Sequence, residues 1–249
     1  LGLEAAIACD EMIEQKTEID AHRRWSSEIS KPIDAESTRR PMIGAAATKK
    51  ALKRAIDITG ACVGLILFGP LMIIISVLLT FEKGPTIFAH ERIGQNAKKF
   101  RCFKFRTMAP DADAKLKVLL EIDSVARSEW ERDRKLRRDP RITKLGSILR
   151  ETSLDELPQF INVLTGEMSL VGPRPITADE VTKYGDKFSF YTACKPGITG
   201  AWQVSGRNDV TYEQRVNLDA DYSSSHSLML DFTILLKTFG VVLSKKGAR

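Results

Sequence analysis

Residues 58–81 read ITGACVGLILFGPLMIIISVLLTF, a run of 24 residues without a charge held between Asp57 and Glu82. As a straight helix this run would be about 36 Å long, enough to cross a hydrocarbon core of about 30 Å. It lies too far from the N-terminus, and is too long, for a cleavable signal sequence. Two details argue against a simple crossing. Gly69 and Pro70 fall at the midpoint of the run, and a proline there removes a backbone hydrogen bond and clashes with the preceding turn, so a sharp bend is expected. Both flanks are also basic, with Lys49, Lys50, Lys53 and Arg54 before the run and Lys83, Arg92, Lys98, Lys99 and Arg101 after it. Basic flanks favour the cytoplasmic side, so both ends are expected there. A helix broken at its centre into halves of about 18 Å would dip into one leaflet and return. The re-entrant hairpin is therefore the expectation, with a bent spanning helix and a buried soluble helix as alternatives.

Outside this run the composition is that of a folded protein, 43% hydrophobic and 28% charged over 249 residues. The net charge of +6 is unevenly spread: residues 1–48 carry −3, which leaves +9 on residues 49–249. A basic body suits anionic partners such as nucleotides or phospholipid headgroups. Nucleic acid is not expected among them, because aromatic residues make up only 7% of the chain and no nucleic-acid motif is present. Cys9, Cys62, Cys102 and Cys194 show neither paired nor metal-like spacing and are expected to be packing residues in a reducing compartment. The chain opens on Leu1, as a fragment would.

Four segments follow from the pattern. Residues 1–48 mix Ser, Thr, Pro and alternating charges and are expected to form a flexible arm without chemistry, His22 and Trp25 included. Residues 49–83 form the membrane segment. Residues 84–227 form a cytosolic domain, opening with two strands (85–90 and 99–107) around a Gly94-Gln-Asn-Ala turn. A charged helix is expected over 111–138, with Leu116, Leu119, Leu120 and Ile122 as its apolar side. Short amphipathic helices follow over 142–150 and 153–164, and a loop-rich region covers 185–207. Residues 228–249 are apolar as far as Leu243, interrupted by Asp231 and Lys237, and end in Lys245, Lys246 and Arg249. That fits a helix at the lipid headgroups with a basic tail; a C-terminal core helix is the alternative.

The residues most suited to chemistry lie in RETSLDELPQFINVLTGEMSLVGPRP, residues 150–175. Asp155 and Glu156 are adjacent, Arg150 stands five residues upstream, and Arg174 is stiffened between Pro173 and Pro175. A carboxylate pair among guanidinium groups suits reactions at phosphorus: one carboxylate attacks or holds a divalent metal, and the cations neutralise phosphate oxygens. The plainer alternative is an exposed helix start with Ser153 as N-cap and the acids complementing the helix dipole.

The apolar run, KFRTM (104–108), DPRIT (139–143), SLDELPQ (153–159), VGPRP (171–175), PGITG (196–200) and SGR (205–207) occur in this order. On these the chain, over residues 49–249, resembles the bacterial sugar transferases, the monotopic polyprenol-phosphate phosphoglycosyl transferases. SGRNDVTYEQRV and ILLKTFGVVLSKKGAR resemble its rhizobial exopolysaccharide branch in particular, whose members transfer galactose- or glucose-1-phosphate. The resemblance implies an α/β, mostly helical monotopic enzyme with a kinked re-entrant helix, a compact catalytic domain carrying a small β-hairpin, and amphipathic interfacial helices. Its implied place is the bacterial cytoplasmic membrane, with the catalytic domain on the cytoplasmic face. The implied reaction moves a sugar-1-phosphate from a UDP-sugar to undecaprenyl phosphate and releases UMP. The resemblance makes Asp155 the nucleophile and Glu156 the Mg²⁺ ligand, and it brings Lys104, Arg150, Arg174, Arg207 and Arg141 to the phosphates. A UDP-N-acetylamino sugar is the alternative donor. Membrane lipid, a second copy of the chain and downstream glycosyltransferases are further expected partners. Members of the family commonly carry Ser-Pro at the membrane kink where this chain has Gly69-Pro70. Glycine supplies no hydroxyl to a freed carbonyl but relaxes the backbone. His90 and His226 are expected to be structural, since an ionised aspartate and a phosphate acceptor need no general base.

Overall fold

The computed structural model describes residues 43–133, 136, 139–206 and 210–244. Most of the expected arm at 1–48, with His22 and Trp25, lies outside them, as do Arg207 and the tail residues Lys245, Lys246 and Arg249.

Helix α1 runs from Ile43 to Thr80, 38 residues with Pro70 inside. The expected break into two half-length helices does not form, because the helix continues across Gly69 and Pro70. Proline deletes one N–H and crowds the turn before it, while the neighbouring turns keep their bonds, so a long helix survives it. Residues Ala47–Thr80 are long and apolar enough to cross a membrane, and Ile66, Leu67 and Ile73 stand exposed on the helix.

Both ends of α1 dock on the rest of the protein. At one end the Arg54 guanidinium donates to the carbonyls of Val163 and Leu164 at 2.5 and 2.8 Å, satisfying orphan groups at the end of another helix. Lys53 Nζ donates to Ser169 Oγ at 2.7 Å and pairs with Asp231 at 2.9 Å. Asp57, itself buried, accepts from the Leu170 N–H at 3.0 Å. At the other end Ile75 and Leu79 are buried against Phe105 and Leu149, and Arg106 Nη2 donates to the Leu79 carbonyl at 3.1 Å.

Strands β1 (Ile87–Ile93) and β2 (Lys99–Phe105) form the expected antiparallel hairpin, registered from Ile87 opposite Phe105 to Ile93 opposite Lys99. Side chains alternate along each strand, so His90 and Arg92 share a face with Cys102 and Lys104. The charged helix expected over 111–138 is divided into α2 (Ala112–Ile122) and α3 (Ser124–Asp133). Asp123 divides them: its backbone is extended, and its Oδ1 accepts from the N–H groups of Val125 and Ala126 as an N-cap. Ile122, expected on the apolar side, is 78% exposed.

The remaining helices are α4 (Lys144–Glu151), α5 (Gln159–Thr165), α6 (Val181–Tyr184), α7 (Phe188–Ala193), α8 (Tyr212–Ser225) and α9 (Leu228–Ser244). Helix α5 is held to the hairpin by Asn162, which is fully buried. Its side chain accepts from the Phe103 N–H at 3.0 Å and donates to the Arg101 carbonyl at 2.7 Å. A single amide thereby supplies the edge of β2 with the donor and acceptor that a third strand would have offered. Helix α8, which the sequence pattern did not reveal, begins at a capping box between Thr211 and Gln214.

Strands β3 (Ser169–Val171) and β4 (Gly197–Thr199) pair in parallel. The glycines of VGPRP and PGITG allow this approach, since a Cβ on Gly197 would lie 2.1 Å from the Gly172 nitrogen. Helix α9 has one side in the core and another exposed. Ile234 is fully buried in the core, and Tyr222 Oη donates to Asp231 at 2.6 Å. Met229, Phe232, Leu236 and Phe239 form an exposed apolar stripe at helical spacing.

Candidate active site

The carboxylate pair does not open an α-helix. Helix α4 ends at Glu151, and Ser153 adopts a left-handed conformation with φ 58° and caps nothing through its side chain. A 3₁₀ turn over Leu154–Glu156 then carries both acids, before Pro158 leads into α5. A serine held left-handed costs about 1 kcal/mol or more, and such strain concentrates at functional sites. Here it reverses the chain so that Asp155 is buried at 8% exposure and faces β2.

Lys104 on β2 meets the pair directly, with Nζ 2.6 Å from Glu156 Oε1 and 3.6 Å from Asp155 Oδ2. Arg174 reaches in from the loop after β3, its Nη1 3.6 Å from Glu156 Oε1. That loop is pinned on both sides. The Gly197 N–H donates to the Pro173 carbonyl at 2.8 Å, and the Ile93 N–H donates to the Ile176 carbonyl at 2.9 Å. Arg150, in the last turn of α4, donates to Thr107 Oγ1 at 2.8 Å and lies close enough for its charge to act on Asp155. Burial raises the pKa of Asp155 above the ordinary carboxylate value. Lys104 opposes the rise, Glu156 adds to it, and Arg150 and Arg174 oppose it more weakly. The result is a poorly solvated, relatively basic carboxylate among three cations, the setting in which a carboxylate attacks an electrophilic phosphorus.

The structure thus gathers Asp155, Glu156, Lys104, Arg150 and Arg174. Arg141 is engaged elsewhere: it is buried, its guanidinium forms a two-point pair with Asp139 at 2.8 and 2.7 Å, and it lies 4.9 Å from the Trp130 ring centre. Arg207 lies outside the described residues. Gly69 and Pro70 sit within α1, away from these groups in sequence and fold. His90 shares the hairpin face with Lys104. Burial, with the charges of Arg92 and Lys104, lowers its pKa, so it is a neutral imidazole at pH 7.

Several residues of the site went unrecognised in the sequence. In the sequence Arg92 belongs to the basic flank of the apolar run, yet it lines the same cleft as Lys104, Glu156 and Arg174. Its Nη1 donates to the Pro175 carbonyl at 3.2 Å and to Glu180 at 3.4 Å. Strand register was the available signal, since Arg92 and Lys104 fall on one face of the hairpin. Trp202 stacks against two guanidinium groups, Arg215 at 4.5 Å and Arg174 at 5.8 Å. Gln159, Ile198 and Gln203 complete the cleft wall; Gln159 closes SLDELPQ and Ile198 lies within PGITG, whereas Gln203 falls between PGITG and SGR.

No cluster of three or more His, Cys, Asp or Glu side chains suited to a metal exists among the described residues. The Asp155–Glu156 pair fits an ion such as Mg²⁺, which takes one or two carboxylates and fills its other positions with water and substrate phosphate oxygens.

Comparison with known proteins accords with this geometry. Residues 48–245 match the family model described as bacterial sugar transferase. Over 201 residues the chain is 50% identical to the undecaprenyl-phosphate galactose phosphotransferase of Salmonella typhimurium, covering 81% of this chain and 42% of that protein. It is 48% identical over 201 residues to the UDP-galactose-lipid carrier transferase of Erwinia amylovora, covering 81% and 42%. It is also 46% identical over 197 residues to the exopolysaccharide production protein ExoY of Rhizobium meliloti, covering 79% and 87%. The chain therefore spans less than half the length of the first two relatives and most of the third. With the match extending across the long apolar helix, the carboxylate turn and the arginine loop, the chain belongs to the bacterial sugar transferase family.

Proposed function

We propose that this protein transfers a hexose-1-phosphate, galactose or glucose, from a UDP-sugar to undecaprenyl phosphate at the cytoplasmic face of the bacterial inner membrane. This would be the first membrane step of exopolysaccharide synthesis. The observation that carries the reading is the buried Asp155, 3.6 Å from Lys104 and beside Arg150 and Arg174. The names of the Salmonella and Erwinia relatives support the choice of donor and carrier.

Asp155 attacks the phosphorus that bears the sugar. As the Asp155–phosphorus bond forms, the bond from that phosphorus to the bridging oxygen breaks, and UMP leaves with the electron pair. An oxygen of undecaprenyl phosphate then attacks the same phosphorus and expels the Asp155 carboxylate unchanged. Neither nucleophile has to be deprotonated first, which suits a site without a histidine at the pair. Lys104 and Arg174 hold the phosphate oxygens, and Glu156 keeps both cations in place. Glu156 is also the residue that would hold Mg²⁺, which when bound neutralises charge on the diphosphate.

For the membrane segment, we favour a helix that stays continuous, bends at Pro70 and keeps both of its ends on one side of the bilayer. The Lys53–Arg54 end and the Leu79–Glu82 end of α1 both touch the catalytic body, whereas the ends of a crossing helix would face opposite compartments. Cysteines placed at positions 50 and 83 should label from the same side of sealed vesicles. Opposite-sided labelling would rule out this arrangement.

The activity is tested by a UMP-release panel over several UDP-sugars, with and without polyprenol phosphate. Sustained release is expected with UDP-galactose or UDP-glucose only when the acceptor and Mg²⁺ are present. Without acceptor, release should stop at about one UMP per enzyme, the amount a single covalent transfer allows. No UMP from any UDP-sugar under complete conditions would end this reading.

A further inference from the structure

The cleft contains a polar atom that the proposed reaction does not use. Gln203, on the 3₁₀ turn Trp202–Val204, donates from Nε2 to the Ile198 carbonyl at 3.0 Å. Its Oε1 is buried and has no hydrogen-bond partner among the described residues. The amide cannot be turned over to relieve this, because the flip would set its oxygen against the Ile198 carbonyl oxygen. A buried carbonyl oxygen without a donor is costly, and in folded proteins it calls for an explanation such as a ligand. Gln203 lines the cleft together with Lys104, Glu156 and Arg174, so its side chain belongs to the cleft wall, with the buried oxygen beside Gly200.

The chemistry of that oxygen narrows what it meets. It is uncharged and can only accept, so it repels phosphate oxygens and suits an O–H or N–H donor. Lys104 and Glu156, in the same cleft, flank Asp155, which marks where the reacting phosphorus lies. In a UDP-sugar the hexose is attached to that phosphorus through one oxygen, whereas ribose and uracil stand beyond a second phosphate. Resting on the UDP-sugar reading above, we propose that Gln203 Oε1 accepts a hydrogen bond from a hydroxyl of the donor hexose and thereby takes part in sugar selection. A site built around such a bond discriminates strongly against an analogue lacking the hydroxyl, because the protein oxygen is then left unpaired again.

The experiment is a cycle of wild type and Gln203→Met against the preferred UDP-hexose and its monodeoxy analogues, read as kcat/KM for UMP release. In wild type, removing one particular hydroxyl should lower kcat/KM by about 10- to 100-fold. Gln203→Met should lower the parent sugar by a similar factor and treat parent and that deoxy donor alike. If every analogue loses the same factor in both enzymes, the contact does not exist. If Gln203→Met instead weakens product inhibition by UMP while keeping the hydroxyl preference, the oxygen meets the nucleotide and the proposal is overturned. Should the methionine variant not fold, Gln203→Ala replaces it. The wild-type series is decisive on its own too, since less than a twofold effect from every hydroxyl removes the basis of the claim. Failure of the parent UDP-sugar to release UMP from wild type would instead count against the proposed reaction.

Discussion

Asp155→Asn is expected to abolish UMP release, by more than about a thousandfold, because no other group replaces a covalent nucleophile. The amide is nearly isosteric and uncharged, so fold and membrane association should persist. The sign of the stability change follows from burial. Desolvation raises the folded-state pKa of Asp155 above its unfolded value, so ionising this carboxyl costs the folded protein free energy at neutral pH. The cost disappears as pH falls through the raised pKa. Asparagine does not titrate and carries no such cost, so the variant should unfold at a temperature no lower than wild type at pH 7. Trapping during turnover should find the phosphosugar on residue 155 of the wild type alone. Wild-type turnover in the variant, or an adduct on another residue, would refute the nucleophile assignment.

Lys104→Met should give the second-largest loss, about 10²- to 10³-fold in kcat, the range for removing one preorganised group from a transition-state charge. Lys104 touches both carboxylates and is the strongest influence holding the Asp155 pKa down against burial. Its removal therefore lets that pKa rise further, and the acid limb of the kcat profile should move to higher pH. An acid limb that stays in place while kcat falls would show that Lys104 serves the phosphates and leaves the nucleophile's charge state alone.

Local regularities that survive folding were legible in the chain. The hairpin showed because alternation and a Gly94 turn set its strands without outside help, and the long apolar helix showed in 24 consecutive uncharged residues. The errors came where one side chain overrides a periodic pattern. Asp123 divides a charged stretch that looks continuous, and Ser153 turns left-handed where a helix cap was expected. Within the site, Asp155, Glu156, Lys104, Arg150 and Arg174 stood in recognisable strings. Arg92 and Gln203 did not, because what brings them to the cleft is strand register and the close passage of glycine-bearing loops; Trp202 adjoins it by stacking on Arg174 and Arg215. Arg141 was conspicuous in DPRIT, but its planar fork is occupied by Asp139 two residues away.

Lys53 has a consequence for the enzyme's anatomy. One ammonium group reaches Asp57 on its own helix, Ser169 on β3 and Asp231 on α9, while Ile75 and Leu79 further along seal Phe105 and Leu149 from water. The long apolar helix is thus a wall of the house and not a mooring rope. Cut away, it would leave the buried Asp231 without its ammonium partner and bare the greasy floor beneath the carboxylate turn. Among the described residues, both apolar cores that the helix touches are shared with the catalytic body.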